Sequence, residues 1–103
     1  MSALSLMLSL MLPLLLTLAP QDPMRVLDGG SRQQDSVRQA VRQGRFVPLE
    51  QVVADALRRY PGKLIEVELD DAKYEIEILG PDGVVMELDY DAATGRLLKM
   101  EKD

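Results

Sequence analysis

The chain has 103 residues, which is enough for one domain, and its formal net charge is −5. It contains no histidine and no cysteine, which excludes Ser-His-Asp and Cys-His catalysis and metal sites built on imidazole or thiolate ligands. Disulfides are excluded for the same reason, so packing alone must stabilise the fold.

The first 19 residues form an apolar stretch rich in leucine and methionine, without a charged side chain. Such a stretch has no polar face to turn toward water and is typical of a secretory signal peptide. We therefore predict a signal peptide at residues 1–19, with small residues Thr17 and Ala19 before the cleavage point. The alternatives are an uncleaved N-terminal anchor and a buried core helix. Pro13 interrupts the stretch, which is slightly short for a membrane span.

Residues 20–34 contain two prolines, a Gly-Gly pair and few apolar side chains, and they predict a flexible linker. Two helical segments follow. Residues 35–43 carry a short apolar pattern that ends at Gly44. From Leu49 to Tyr60, apolar residues recur at i, i+3, i+4, i+7, i+8 and i+11 and form one continuous stripe. Pro61-Gly62 ends this second helix.

Beyond Gly62 the apolar period changes from 3.6 to 2, which indicates strands. Three segments alternate apolar and acidic residues, and a short closing strand spans residues 96–100. The positions assigned to the inner, apolar face are Ile65, Val67, Leu69, Tyr74, Ile76, Ile78, Val84, Met86, Leu88 and Tyr90. Short turns between successive strands require antiparallel neighbours. The predicted fold class is therefore α+β, with one or more N-terminal amphipathic helices packed on one face of a three- to four-stranded antiparallel β-meander.

The segment from Arg38 to Glu101 resembles the PepSY domain, a small bacterial module common in exported and membrane-anchored proteins. The residues that carry the resemblance are Ala40 to Gly44, Pro48-Leu49, Tyr60-Pro61-Gly62, Glu68-Leu69, Tyr74-Glu75-Ile76, Asp82-Gly83 and Asp91 to Leu98. The resemblance implies an α+β domain without catalytic residues to transfer. It also suggests a role in restraining proteases, because related domains occur in peptidase propeptides. Residues 35–103 are assigned to this PepSY-like domain.

The outward positions of the predicted sheet are acidic. They are Glu66, Glu68, Glu75, Glu77, Glu87 and Asp89. We expect this face to keep ordinary pKa values and to be a solvated surface that favours solubility, with a cation-binding or partner-docking role as the alternative. Calcium binding at Asp89-x-Asp91 is disfavoured because Ala93 stands where another oxygen ligand belongs.

These observations predict a non-enzymatic interaction domain that is periplasmic or secreted. We expect a protein partner in the cell envelope. The domain would regulate this partner either by restraining a peptidase or by acting with an envelope sensor. The alternative is a module that binds cations or cell-wall components on the acidic sheet. No cofactor is predicted, and an acidic sheet repels the phosphates of nucleic acid. Membrane contact is expected only through an uncleaved N-terminus.

Overall fold

The computed structural model describes residues 22–103, and the predicted signal peptide lies outside them. The helices in this part of the chain are α1 (Pro23–Val26), α2 (Gly30–Arg42) and α3 (Leu49–Arg59). The strands are β1 (Lys63–Asp70), β2 (Lys73–Leu79), β3 (Val85–Asp91) and β4 (Leu97–Lys102). The strands form one antiparallel sheet in the order β1-β2-β3-β4. The predicted α+β class and the meander are therefore confirmed.

The core lies between the apolar stripe of α3 and one face of the sheet. On α3 the buried residues are Leu49, Val52, Val53 and Ala56. From the sheet they meet Leu64, Val67, Tyr74, Ile76, Ile78, Leu88 and Tyr90. Full burial of one large apolar side chain contributes about 1.5–3 kcal/mol, so this layer supplies most of the stability of a chain without disulfides.

The prediction that Ile65 faces the core is wrong. The register of β1 against β2 shifts between Leu64 and Glu66. Such a bulge adds one residue to the strand and reverses the alternation on its far side. Leu64 is therefore the buried residue, at 1% exposure, while Ile65 is 39% exposed. Val67 and Ile76 lie inward as predicted, so the helix still packs on the intended face.

The prediction of a flexible linker is wrong for residues 22–34. Asp22 caps α1 by accepting a hydrogen bond from the N–H of Met24 at 3.1 Å. Pro23 is compatible with this helix because the first turn does not need its missing N–H. Met24 and Leu27 are buried in the core, and their burial compensates for ordering a short segment.

The edge of β1 is paired with this N-terminal segment. Leu27 forms a parallel bridge with Val67, and the N–H of Asp28 donates to the carbonyl of Val67 at 2.8 Å. A left-handed turn at Gly29, with φ of +95°, then leads into α2. The second helix therefore begins at Gly30, five residues before its predicted start.

Candidate functional site

The outward face of the sheet carries a row of four glutamates in direct register. Glu66 lies opposite Glu77, Glu77 opposite Glu87, and Glu87 opposite Glu101. Each strand contributes one of them, and we call this set the glutamate row. Like charges directly opposite each other on neighbouring strands destabilise a sheet, so the arrangement has an energetic cost.

A second row beside it is partly neutralised. Glu68, Glu75, Asp89 and Lys99 lie opposite one another across the four strands. Lys73 Nζ lies 3.7 Å from Glu75 and 3.7 Å from Asp89. Lys99 Nζ lies 2.8 Å from Glu101 at the end of the glutamate row. Within residues 22–103, no ion pair involves the other three members of that row.

The proximity of these carboxylates changes their acidity. Partial burial raises the pKa of Glu77 to about 7, and hydrogen bonds with Glu87 and Glu66 and their charges add to the effect. Partial burial also raises the pKa of Glu75, reinforced by Asp89 and Glu68. The expectation of ordinary pKa values is therefore wrong for these two glutamates, because neighbouring strands flank them on both sides and reduce their hydration.

The structure brings all six predicted acidic residues together on one surface, which we call the acidic face. They line a shallow cavity with a volume of about 400 Å³. Lys73, Lys99 and Glu101 also line it. Glu101 was not predicted as a member because the closing strand was expected to end at Met100, whereas β4 continues to Lys102. The alternation of Lys99, Met100 and Glu101 was the signal that could have extended the strand.

A smaller group of carboxylates lies at the β1 end of the acidic face. Ligand oxygens of Asp28, Glu66 and Glu68 lie within 4.8 Å of one another. Asp28 was not a predicted member because its segment was interpreted as a linker. The bridge between Leu27 and Val67 places it beside β1.

Asp91, the second aspartate of the Asp89-x-Asp91 motif, stabilises the turn after β3. Its carboxylate accepts hydrogen bonds from the N–H groups of Ala93 at 2.8 Å and Thr94 at 3.3 Å. These bonds are typical of an Asx turn, so Asp91 has a structural role in this turn.

A buried tyrosine joins the sheet to α3 on the opposite side of the sheet. The hydroxyl of Tyr90 donates to Asp55 at 2.6 Å, and Arg58 and Arg59 donate to the same carboxylate at 2.6 Å and 2.8 Å. The hydrogen bonds from Tyr90 and Arg59 hold the pKa of Asp55 below its usual range. The sequence offered no signal for the link between Asp55 and Tyr90.

An apolar groove lies beside that link, between the end of α3 and strands β3 and β4. It has a volume of about 620 Å³, and its lining includes Tyr60, Ile78, Val84, Met86 and Met100. The hydroxyl of Tyr60 contacts the sulfur of Met100. The groove exists because α3 ends at Arg59 and leaves this corner of the apolar sheet face uncovered.

Comparison with known families places residues 47–101 under a family model named PepSY and described as "Peptidase propeptide and YPEB domain". The match spans more than half of the chain and lies inside the segment whose residues carry the resemblance. No curated protein and no solved structure matched the chain. None of the helices described in residues 22–103 is both long and apolar enough to cross a membrane.

Proposed function

The chain belongs to the PepSY family, and we propose on this premise that it is an exported, non-enzymatic domain that regulates a protein partner by binding it through the acidic face. PepSY domains generally act as propeptide or regulatory modules and not as catalysts. They also occur in exported proteins, and the leucine-rich N-terminus is consistent with export.

The observation that carries this proposal is the glutamate row. Three of its members, Glu66, Glu77 and Glu87, have no ion pair among the described residues. Their mutual repulsion destabilises the isolated sheet, and a basic partner surface would relieve it. Electrostatic complementarity of this kind speeds encounter and selects partners.

The chemistry available to the acidic face supports binding over catalysis. Its lining residues are carboxylates, two lysines and one isoleucine, and the whole sequence lacks histidine and cysteine. A nucleophile activated by an adjacent base is the usual requirement for covalent catalysis. The acidic face offers no hydroxyl or thiol nucleophile to pair with its carboxylates.

Affinity capture from an exported-protein fraction tests the proposal. The purified protein would be compared with a neutralised variant, Glu66→Gln with Glu77→Gln and Glu87→Gln. A matched control, Asp35→Asn with Glu50→Gln and Asp103→Asn, removes three exposed acids that do not line the acidic face. We expect the wild type and the control to retain the same basic protein at low salt, and the neutralised variant to lose it. Equal capture by all three would contradict the proposal.

A peptidase assay then decides between the two forms of regulation. If the partner is a peptidase, adding the wild-type protein lowers its turnover, and the neutralised variant leaves turnover unchanged. If the partner is an envelope sensor, binding occurs without any effect on proteolysis. Retained inhibition by the neutralised variant would show that the acidic face is not the contact surface.

A second candidate function is binding of a small cation or a cell-wall fragment, favoured by the proximity of Asp28, Glu66 and Glu68. Carboxylate oxygens are the ligands that calcium and magnesium prefer. Calorimetric titration with Ca²⁺, Mg²⁺ and muropeptides tests it, with Asp28→Asn as the variant. Heat that disappears in the variant would support this function, and the absence of heat in every titration would remove it.

A further inference from the structure

The two edges of the sheet differ. The edge of β1 is partly paired, because Leu27 bridges Val67 and the N–H of Asp28 donates to the carbonyl of Val67. The edge of β4 has no such partner within residues 22–103, where β4 pairs with β3 alone. An unpaired strand edge presents backbone donors and acceptors to another chain.

The register identifies which backbone groups of β4 point outward. The N–H of Asp103 donates to the carbonyl of Val85 at 2.9 Å, which makes this a hydrogen-bonded pair. Hydrogen-bonded and non-hydrogen-bonded pairs alternate along an antiparallel ladder. Glu101 and Lys99 therefore also bond toward β3. Met100 and Lys102, which lie between these residues, direct their N–H and carbonyl groups toward the open edge.

The two faces of the sheet at this edge differ in chemistry. Met100 lines the apolar groove and is 44% exposed. On the opposite face, Glu101 ends the glutamate row. A strand added beside β4 would place alternate side chains on these two faces. Arg59 and Lys102 line the apolar groove, so basic side chains are favoured only on the acidic face.

We propose that the open edge of β4 accepts an extended peptide segment of the partner as a fifth strand, with apolar side chains toward the apolar groove and basic side chains toward the acidic face. This inference rests on the proposed protein-binding function and specifies that the bound part of the partner is an extended segment. Backbone pairing with Met100 and Lys102 supplies the attachment. The alternation of apolar and basic side chains supplies the selection, since strand addition combines main-chain bonds with pockets for alternate residues.

A synthetic octapeptide that alternates valine and lysine tests the proposal on the protein expressed from the full-length sequence. A peptide of the same composition with valines and lysines in pairs is the first control, because it cannot segregate its charges to one face. An alternating valine–glutamate peptide is the second. We expect the valine–lysine peptide to bind at least about tenfold more tightly than either control, the equivalent of about 1.4 kcal/mol. On binding, the amides of Met100 and Lys102 should become protected from hydrogen exchange.

Two variants at one position separate backbone pairing from side-chain contact. Met100→Pro removes an outward N–H that β3 does not use, and proline is tolerated on edge strands. Met100→Ala keeps that N–H and shortens the side chain. Once thermal melts show both variants folded, we expect the proline variant to bind the peptide at least about threefold more weakly than the alanine variant, the loss of one net hydrogen bond.

Three results would overturn the inference. One is equal binding of the alternating and paired valine–lysine peptides. Another is equal binding by the proline and alanine variants. The third is protection of the Met100 and Lys102 amides before any peptide is added, which would mean that another part of the chain or a second copy occupies the edge. If the neutralised variant still fails to capture the partner in any of these cases, the proposed function stands and only strand addition fails.

Discussion

Tyr90 reaches from β3 to α3, where its hydroxyl donates a hydrogen bond to Asp55 at 2.6 Å. Burial raises the pKa of the Tyr90 hydroxyl, and the bond to Asp55 adds to the effect, so the phenol keeps its proton. The same carboxylate is held by Arg58 and Arg59. A neutral donor from the sheet and two cations from the helix thus converge on one carboxylate, which fixes the position of α3 along the sheet.

Loss of the Tyr90 hydroxyl should destabilise the protein. Tyr90→Phe keeps the ring in the core and removes a hydrogen bond to a charged group, which is worth about 1.5–3 kcal/mol. Urea denaturation with an unchanged m-value measures the loss. Tyr74→Phe is the control, because its hydroxyl meets only the neutral carbonyl of Val47 at 3.3 Å, and it should cost about 0.5–1.5 kcal/mol. Equal losses would show that the charge on Asp55 adds nothing.

Stability should fall as pH rises through neutrality because of Glu77. Its pKa is raised from 4.5 in the unfolded chain to about 7 in the fold. Between these values the folded state binds more protons than the unfolded state, so the free energy of unfolding decreases with rising pH. Solvent screening keeps the effect to about 1 kcal/mol or less. Urea denaturation between pH 5 and pH 8 measures it.

Glu77→Gln should flatten this pH dependence, because glutamine carries no titrating group. Glu50→Gln, at the exposed start of α3, should leave the slope as it is in the wild type. A Glu77→Gln protein with the wild-type slope would place the titrating group elsewhere.

Because of the bulge in β1, alanine substitution should lower the stability much less at Ile65 than at Ile76. Ile76→Ala removes a side chain that is 1% exposed and should cost about 2–5 kcal/mol through lost burial and the cavity left behind. Ile65→Ala changes a residue on the solvent side of the bulge and should cost about 0.5 kcal/mol or less. Denaturant titration compares them. A large loss for Ile65→Ala would mean that β1 lacks the register shift.

The N-terminal segment should contribute to the stability of the domain. Leu27→Ala should lower the free energy of unfolding by about 2–5 kcal/mol, because Leu27 is buried against the core. Arg25→Ala is the control, since Arg25 is exposed in α1, two residues before Leu27. If Leu27→Ala is as stable as the control, residues 22–34 behave as the linker that the sequence suggested.

The sequence predicted those parts of the fold that depend on period alone. The stripe from Leu49 to Tyr60 is helical, and the alternation around Ile76 and Leu88 is a strand pattern that survives in the structure. The bulge at Ile65 was not predictable in this way, because Leu64 and Ile65 are both apolar and either could face inward. The segment around Leu27 was misjudged because its prolines and glycines outweighed its three apolar residues, Met24, Val26 and Leu27.

The sequence predicted which residues belong to the candidate site better than it predicted how they are arranged. Alternation placed Glu66, Glu77 and Glu87 on one face, but their direct opposition depends on the lengths of the turns and on the bulge. The raised pKa of Glu77 follows from that opposition and from burial. Tyr90 and Asp55 are 35 positions apart, and no local pattern links two residues at such a distance.

The pairing of Leu27 with Val67 has a consequence for any shortened form of this protein. The family match begins at residue 47, after Leu27, Asp28 and all of α2. A fragment trimmed to residues 47–101 would lose the segment that shields β1. Both outer strands of the meander would then have unpaired backbone groups, and such a sheet tends to aggregate through its edges. A fragment that keeps this pairing must therefore start upstream of Leu27, well before the region that matches the family.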